Sequence, residues 1–183
     1  MATELRRFVG KLAAVGVTIR PAREDDIETL RDIERRAGAR FRDVGLGHIA
    51  DAEPFAAEEL TAFIDAGRAW VAGETPCGYA VATVVDGNGH LEQISVDPAH
   101  QGNGVGRALI DRVCDWARAI GATGLTLTTF TDVPWNGPLY QHLGFVVLDE
   151  HELGSELRAV RAHEAELGLD PAQRVCMRLD LRR

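Results

Sequence analysis

The 183-residue chain has one lysine (Lys11), three cysteines and few aromatic residues. Basic residues number 20 against 28 acidic ones, a net charge of −8. The positive surface on which non-specific nucleic-acid binding depends is therefore missing, and no nucleic-acid partner is expected. Cys77, Cys114 and Cys176 form no CxxC pair and have no histidine at zinc-site spacing. They read as small buried hydrophobes of a reducing compartment, with no metal. No apolar run reaches the roughly 18 residues that a membrane-spanning helix needs, so no membrane partner is expected. Arg6-Arg7 ahead of an apolar stretch looks superficially like an export signal, but Lys11 interrupts that stretch, which runs directly into Val17-Thr18-Ile19. The expectation is a helical N-terminal extension over 1–16, with Leu5, Phe8, Val9 and Leu12 on one face, and a cytoplasmic protein. Residues 17–183 are expected to form one domain, long enough to bury a core without disulfides or metal.

Periodicity orders that domain as mixed α/β. Val17–Arg20 reads as a strand closed by Pro21, and Ile27, Leu30, Ile33 and Ala37 as a helix stripe stopped by Gly38. Residues 39–56 read as irregular, and 57–66 as a second helix. Strands follow at 69–72, 78–85 and 91–96, with Asp86-Gly-Asn-Gly89 as a hairpin turn. Val105, Leu109, Val113, Trp116 and Ile120 define a long amphipathic helix ended by Gly121. A strand at 125–130, a short helix at 139–142, a strand at 145–148, a helix that Ser155 could cap, and a strand at 175–181 complete the chain.

Gln101-Gly102-Asn103-Gly104-Val105-Gly106-Arg107 joins a strand to the start of the long helix. Glycines there let a ligand approach the backbone, and the first helical amides have no internal partners, a setting suited to phosphate. Arg107 stands where a dinucleotide fingerprint needs its last glycine, and the Lys-Ser/Thr of a nucleotide-triphosphate loop is absent. Taken alone, the turn could equally be a plain helix start.

Gln-x-x-Gly-x-Gly, preceded by Ile94-Ser-Val96-Asp-Pro98 and followed by Leu139-Tyr140-Gln-His-Leu143-Gly144-Phe145, resembles the GNAT superfamily of acyl-CoA-dependent N-acyltransferases. The order of elements over about residues 17–182 fits as well. The resemblance implies an acyl-CoA N-acyltransferase fold: a mixed, mostly antiparallel sheet of about seven strands with a splayed parallel pair and helices on both faces. It also implies acetyl-CoA as co-substrate, with the turn amides of Gln101, Gly102, Asn103, Gly104, Val105, Gly106 and Arg107 on the pyrophosphate. The strand carrying Ile94, Ser95 and Val96 would pair with the pantetheine arm, with the 125–130 strand opposite. Many members hold that arm with an asparagine where this chain has Val133; Asn136 either replaces the contact or only caps the short helix.

Acyl transfer to an amine needs a neutral amine, a polarised thioester and a protonated leaving thiolate. Tyr140 matches the family's tyrosine acid, or else only packs its helix. Glu92 lies four residues before Val96, where several small-amine acetyltransferases carry a base. Alternation puts it on the face of Ile94 and Val96 unless a bulge intervenes, and an ordinary solvent-facing carboxylate is the other reading. His90 and His100 are competing titratable groups nearby. The implied function is an acetyl-CoA-dependent N-acetyltransferase acting by direct transfer on a primary amine of a small molecule, peptide or protein. The alternative is a non-catalytic acyl-CoA-binding or sensor module on the same fold. Residues 39–56 would roof the acceptor site, where Phe41, Asp51, Glu53 and Phe55 suit a cationic amine or merely decorate a solvated loop. Family members are often dimers, and the terminal strand leaves a homodimer open.

Overall fold

The computed structural model describes residues 17–182, so the helix expected over 1–16 lies outside the described residues. Seven strands form one sheet in the order β1-β2-β3-β4-β5-β7-β6. They are β1 (Ile19–Pro21), β2 (Ala69–Ala72), β3 (Gly78–Val85), β4 (Asn88–Val96), β5 (Gly124–Phe130), β6 (Val146–Val147) and β7 (Arg174–Asp180). Every neighbouring pair is antiparallel except β4 and β5, which run parallel. The six α-helices among the described residues are α1 (Ile27–Gly38), α2 (Gly47–Ala50), α3 (Ala57–Asp65), α4 (Val105–Ala119), α5 (Gly137–His142) and α6 (Ser155–Glu166).

Alternation along the strands divides the core between two faces. One face carries Trp70, Ala80, Leu125, Leu127 and Met177 against the α4 stripe of Leu109 and Val113 and against Tyr140 and Phe145. The other face packs Val71, Tyr79 and Val81 under Leu30 and Ile33 of α1 and Leu60 of α3. Further along that second face, Leu157 of α6 covers Val85 and Cys176. Each of these fully buried large side chains contributes about 1.5–3 kcal/mol relative to exposure.

Three local expectations change. Residues 39–56 are not uniformly irregular: 39–44 form a 3-10 turn and α2 follows. β4 begins at Asn88, because Gly89 and His90 already pair across to β3 and β5. Ser155 is the first residue of α6 and does not cap it. The cap comes from Asp86 in the β3–β4 turn, whose carboxylate accepts from the backbone amides of Glu156 (3.1 Å) and Leu157 (3.0 Å). The Glu156 carboxylate accepts in return from the Asp86 amide, so a capping box forms between segments 70 residues apart.

Candidate active site at the strand splay

β4 and β5 pair at Gly89–Leu125 and His90–Thr126, and no further pair follows. Beyond that point β4 stays laddered to β3 as far as Val96, and β5 stays laddered to β7 as far as Phe130. Their facing edges, Leu91–Val96 and Leu127–Phe130, diverge as a V whose backbone groups form no bond across the gap. Unpaired facing edges of this kind are where an extended amide-bearing ligand can add itself to a sheet.

The first arm contains a bulge. Ile94 stands opposite Ala80 and Gln93 opposite Val81, but Leu91 is next, opposite Ala82, so Glu92 is the extra residue. Leu91 and Ile94 both pack toward α4 although they are three positions apart. Alternation therefore breaks, and Glu92 does not share a face with Ile94 and Val96. Gln93 turns to the α1 side, where its amide donates to Glu34 at 2.8 Å. Glu92 lies within electrostatic reach of Glu164 and His163 on α6. Its carboxylate is open to solvent but surrounded by protein in the concave splay. That desolvation, reinforced by Glu164 and opposed by His163, raises its pKa above the usual carboxylate value.

Tyr140 sits in α5 at 8% exposure, edge-on to Phe145 at 5.6 Å between ring centroids. Its hydroxyl has no hydrogen-bond partner among the described residues. Burial pushes its pKa up to about 12 against the opposing effect of Arg174, so it holds its proton at neutral pH. His90 is fully buried between the strands, and burial drives its pKa down to about 4. His100 is exposed beside Asp97.

The glycine turn has the form its sequence suggested. Gly102 and Gly104 adopt φ of +78° and +80° with open space where a side chain would stand. The first backbone bond of α4 runs from Ala108 to Gly104, leaving the amides of Val105, Gly106 and Arg107 directed out of the helix end. Gln101 folds back so that its amide donates to Val96 O at 3.0 Å, tying the turn to the end of β4. Arg107 is occupied by Asp111 at 2.9 Å. Asn136 makes no side-chain cap to α5. Its Nδ2 donates to Thr129 Oγ1 of β5 at 2.9 Å, while its Oδ1 is buried without a partner. An orphaned acceptor beside the second arm is a place for an amide N–H, and with the open edge of Ile94–Val96 and the free helix-end amides it fits an acyl-CoA.

Of the expected roof residues, Phe41 packs on Phe130 (5.6 Å) and Trp135 (5.8 Å) at the end of the second arm. Asp51 is tied to Arg42, and Phe55 packs on Phe63. Glu53 is solvent-exposed. Arg40, next to Phe41, lays its guanidinium 3.7 Å over the Trp135 ring and donates to Gln101 Oε1 at 2.9 Å. It thereby connects the ends of the two arms.

Residues 28–145 match the family model described as Acetyltransferase (GNAT) family. The chain belongs to that family. This GNAT chain is 28% identical over 141 residues to glucosamine 6-phosphate N-acetyltransferase of Trypanosoma brucei brucei, covering 68% of this chain and 84% of that protein. It is 25% identical over 125 residues to IAA acetyltransferase of Azospirillum brasilense, covering 68% and 79%. In fold it is similar to paia N-acetyltransferase from Thermoplasma acidophilum in complex with coenzyme A, at a TM-score of 0.69 and 16% identity, over 90% of this chain and 98% of that one. The GNAT chain is accordingly an acetyl-CoA-dependent N-acyltransferase. Glu34, Thr128, Glu164, Arg174 and Arg40 all border the splay and were not singled out from the sequence. Each is an ordinary polar residue whose importance lies in long-range contacts.

Proposed function

We propose that this acetyltransferase moves an acetyl group directly from acetyl-CoA to a primary amine within one domain over 17–183, with Glu92 as base and Tyr140 as acid. The observation that carries this is the loss of β4–β5 pairing after His90–Thr126, with Glu92 in the bulge of one arm and Tyr140 packed beside the other. Acetyl-CoA, when bound, supplies a thioester carbonyl. The edge of Ile94, Ser95 and Val96 and the Asn136 Oδ1 would align its amide-bearing arm. Gln101, Gly102, Asn103, Gly104, Val105, Gly106 and Arg107 would receive its pyrophosphate on backbone amides.

Glu92 takes a proton from the acceptor ammonium, directly or through one water, and its raised pKa brings it nearer the operating pH, as a general base needs. The amine nitrogen bonds to the carbonyl carbon, the carbon–sulfur bond breaks with its electron pair going to sulfur, and Tyr140 gives its proton to that sulfur. The nitrogen, cationic after attack, then sheds its surplus proton through water, which restores the Tyr140 phenol. A phenol near 12 is a weak donor to a free thiolate. Burial that disfavours the phenolate also disfavours a thiolate at the same place, which narrows the mismatch. The uncompensated Glu92 carboxylate favours a cationic amine as acceptor.

The test is thiol release from acetyl-CoA across polyamines, amino sugars including glucosamine 6-phosphate, amino acids and peptides. With the best acceptor, Tyr140→Phe should lower kcat by about 10²-fold or more with coenzyme affinity unchanged. Glu92→Gln should lose most rate at low pH. Unchanged kcat in the first, or a parental pH profile in the second, removes that residue from its role.

A further inference from the structure

Glu164 of α6 and Arg174 at the start of β7 form an ion pair whose side chains are only 13% and 10% exposed. Arg174 Nη2 meets Glu164 Oε1 at 2.6 Å and its Nε meets Oε2 at 3.2 Å. The same Nη2 donates to Thr128 Oγ1 at 3.0 Å, and the Thr128 hydroxyl donates to Glu164. Arg161 adds a longer contact to Oε2 at 3.5 Å, and the Arg174 guanidinium lies 4.8 Å over the Phe130 ring. The pair is thus fixed to the second arm of the splay at Thr128 and Phe130.

The pair faces both proposed catalytic groups. Past His90–Thr126 the arms separate, and Glu92, in the bulge of the first arm, lies within electrostatic reach of Glu164. At the other end, Arg174 is the charged group within reach of the Tyr140 hydroxyl. Buried ion pairs add little net stability and can often be replaced by apolar residues. A satisfied pair at this location therefore calls for a role in the chemistry.

Resting on the assignment of Glu92 and Tyr140 above, we propose that the Glu164–Arg174 pair is a positioning element of acetyl transfer. It is a fixed dipole held on the second arm of the splay, its carboxylate toward Glu92 and the acceptor amine and its guanidinium toward Tyr140 and the sulfur. Positive charge builds on the amine nitrogen as it bonds to carbon, and negative charge builds on the sulfur as it leaves. A dipole already oriented along that displacement stabilises the transition state without reorganising. The charged groups facing Glu92 are Glu164 and His163 from α6, with Arg161 bound to the same Glu164. Glu34 of α1 is engaged by Tyr79 and by Gln93, the neighbour of Glu92.

The experiment is a pH profile of kcat/KM for the wild type, Glu164→Gln, Glu164→Asp, Arg174→Gln, Arg174→Lys and Glu92→Gln, each checked by thermal melting. Removing the like charge in Glu164→Gln should move the acid limb down by about one pH unit, and Glu164→Asp should leave it in place. Arg174→Gln should lower kcat about tenfold or more with KM for acetyl-CoA within about twofold. Arg174→Lys should recover only part, because lysine keeps the charge but loses the two-pronged bond and the ring stack. A merely structural pair would lower melting temperature and leave the limb where it was, and that result overturns the proposal. If Glu92→Gln loses the acid limb while Glu164→Gln keeps the parental one, the pair alone is refuted. If Glu92→Gln keeps the parental limb, the assignment of the base and the proposal fall together.

Discussion

Acidification from pH 7 to pH 5 should destabilise the protein through one buried imidazole. His90 is 1% exposed, and its Nδ1–H donates to Thr126 Oγ1 at 2.8 Å while the Thr126 hydroxyl donates to Gly89 O at 3.2 Å. Burial lowers its pKa to about 4 from an unfolded value of 6.5. Above pH 6.5 the ring is neutral in both states and costs nothing. Below it, the unfolded chain takes up the proton and the folded chain resists until about pH 4, so stability is lost as pH falls through that window. At pH 5 the deficit is one and a half units at 1.36 kcal/mol each, about 2 kcal/mol. For a chain of this length that is roughly 4–8 °C in melting temperature. The assay is urea denaturation at pH 7, 6 and 5 for the wild type and His90→Asn, whose side-chain amide can still donate to Thr126. Titrations common to both proteins, including those of Glu34 and Glu92, cancel in the difference. The wild type should lose about 2 kcal/mol more than the variant between pH 7 and pH 5. Parallel stability curves would refute the buried, neutral imidazole.

Two further outcomes are expected. Asp86→Ala removes both side-chain acceptors from the first turn of α6 and leaves alanine at a φ of +48°, so it should cost about 1–2 kcal/mol in urea denaturation. Arg40→Ala frees the 39–44 turn from Gln101 and Trp135, and should red-shift the Trp135 emission and raise KM, while unfolding free energy falls by no more than about 1 kcal/mol.

Legibility in the sequence followed how local the cause of each feature was. The stripe of Val105, Leu109 and Val113 and the glycines at 102 and 104 act within one turn, and α4 and its N-terminal turn stand where they were expected. Alternation puts Glu92 on the face of Ile94 and Val96, and the bulge takes it off that face. A bulge is a mismatch in count between two strands, and it leaves no mark in the alternation of either one. Local sequence offers Ser155 as a cap for α6, whereas the group that caps it, Asp86, is 70 residues away. Asn136 was left open between two roles, and the cap is the one the structure removes. Glu164 and Arg174 carried no local signal, since a glutamate three residues after Arg161 on a helix reads as a surface pair.

The two-pair junction of β4 with β5 has a mechanical consequence. Strands β1 to β4 and β5 to β7 are joined edge to edge only at Gly89–His90 and Leu125–Thr126, with Arg40 and Phe41 bridging the open end. An extended ligand lying between the two arms takes the place of a missing strand. On the proposed reading the coenzyme completes the sheet as well as reacting, and without it the two halves are held by the β4–β5 pairs, the Arg40–Phe41 bridge and the shared core under α4.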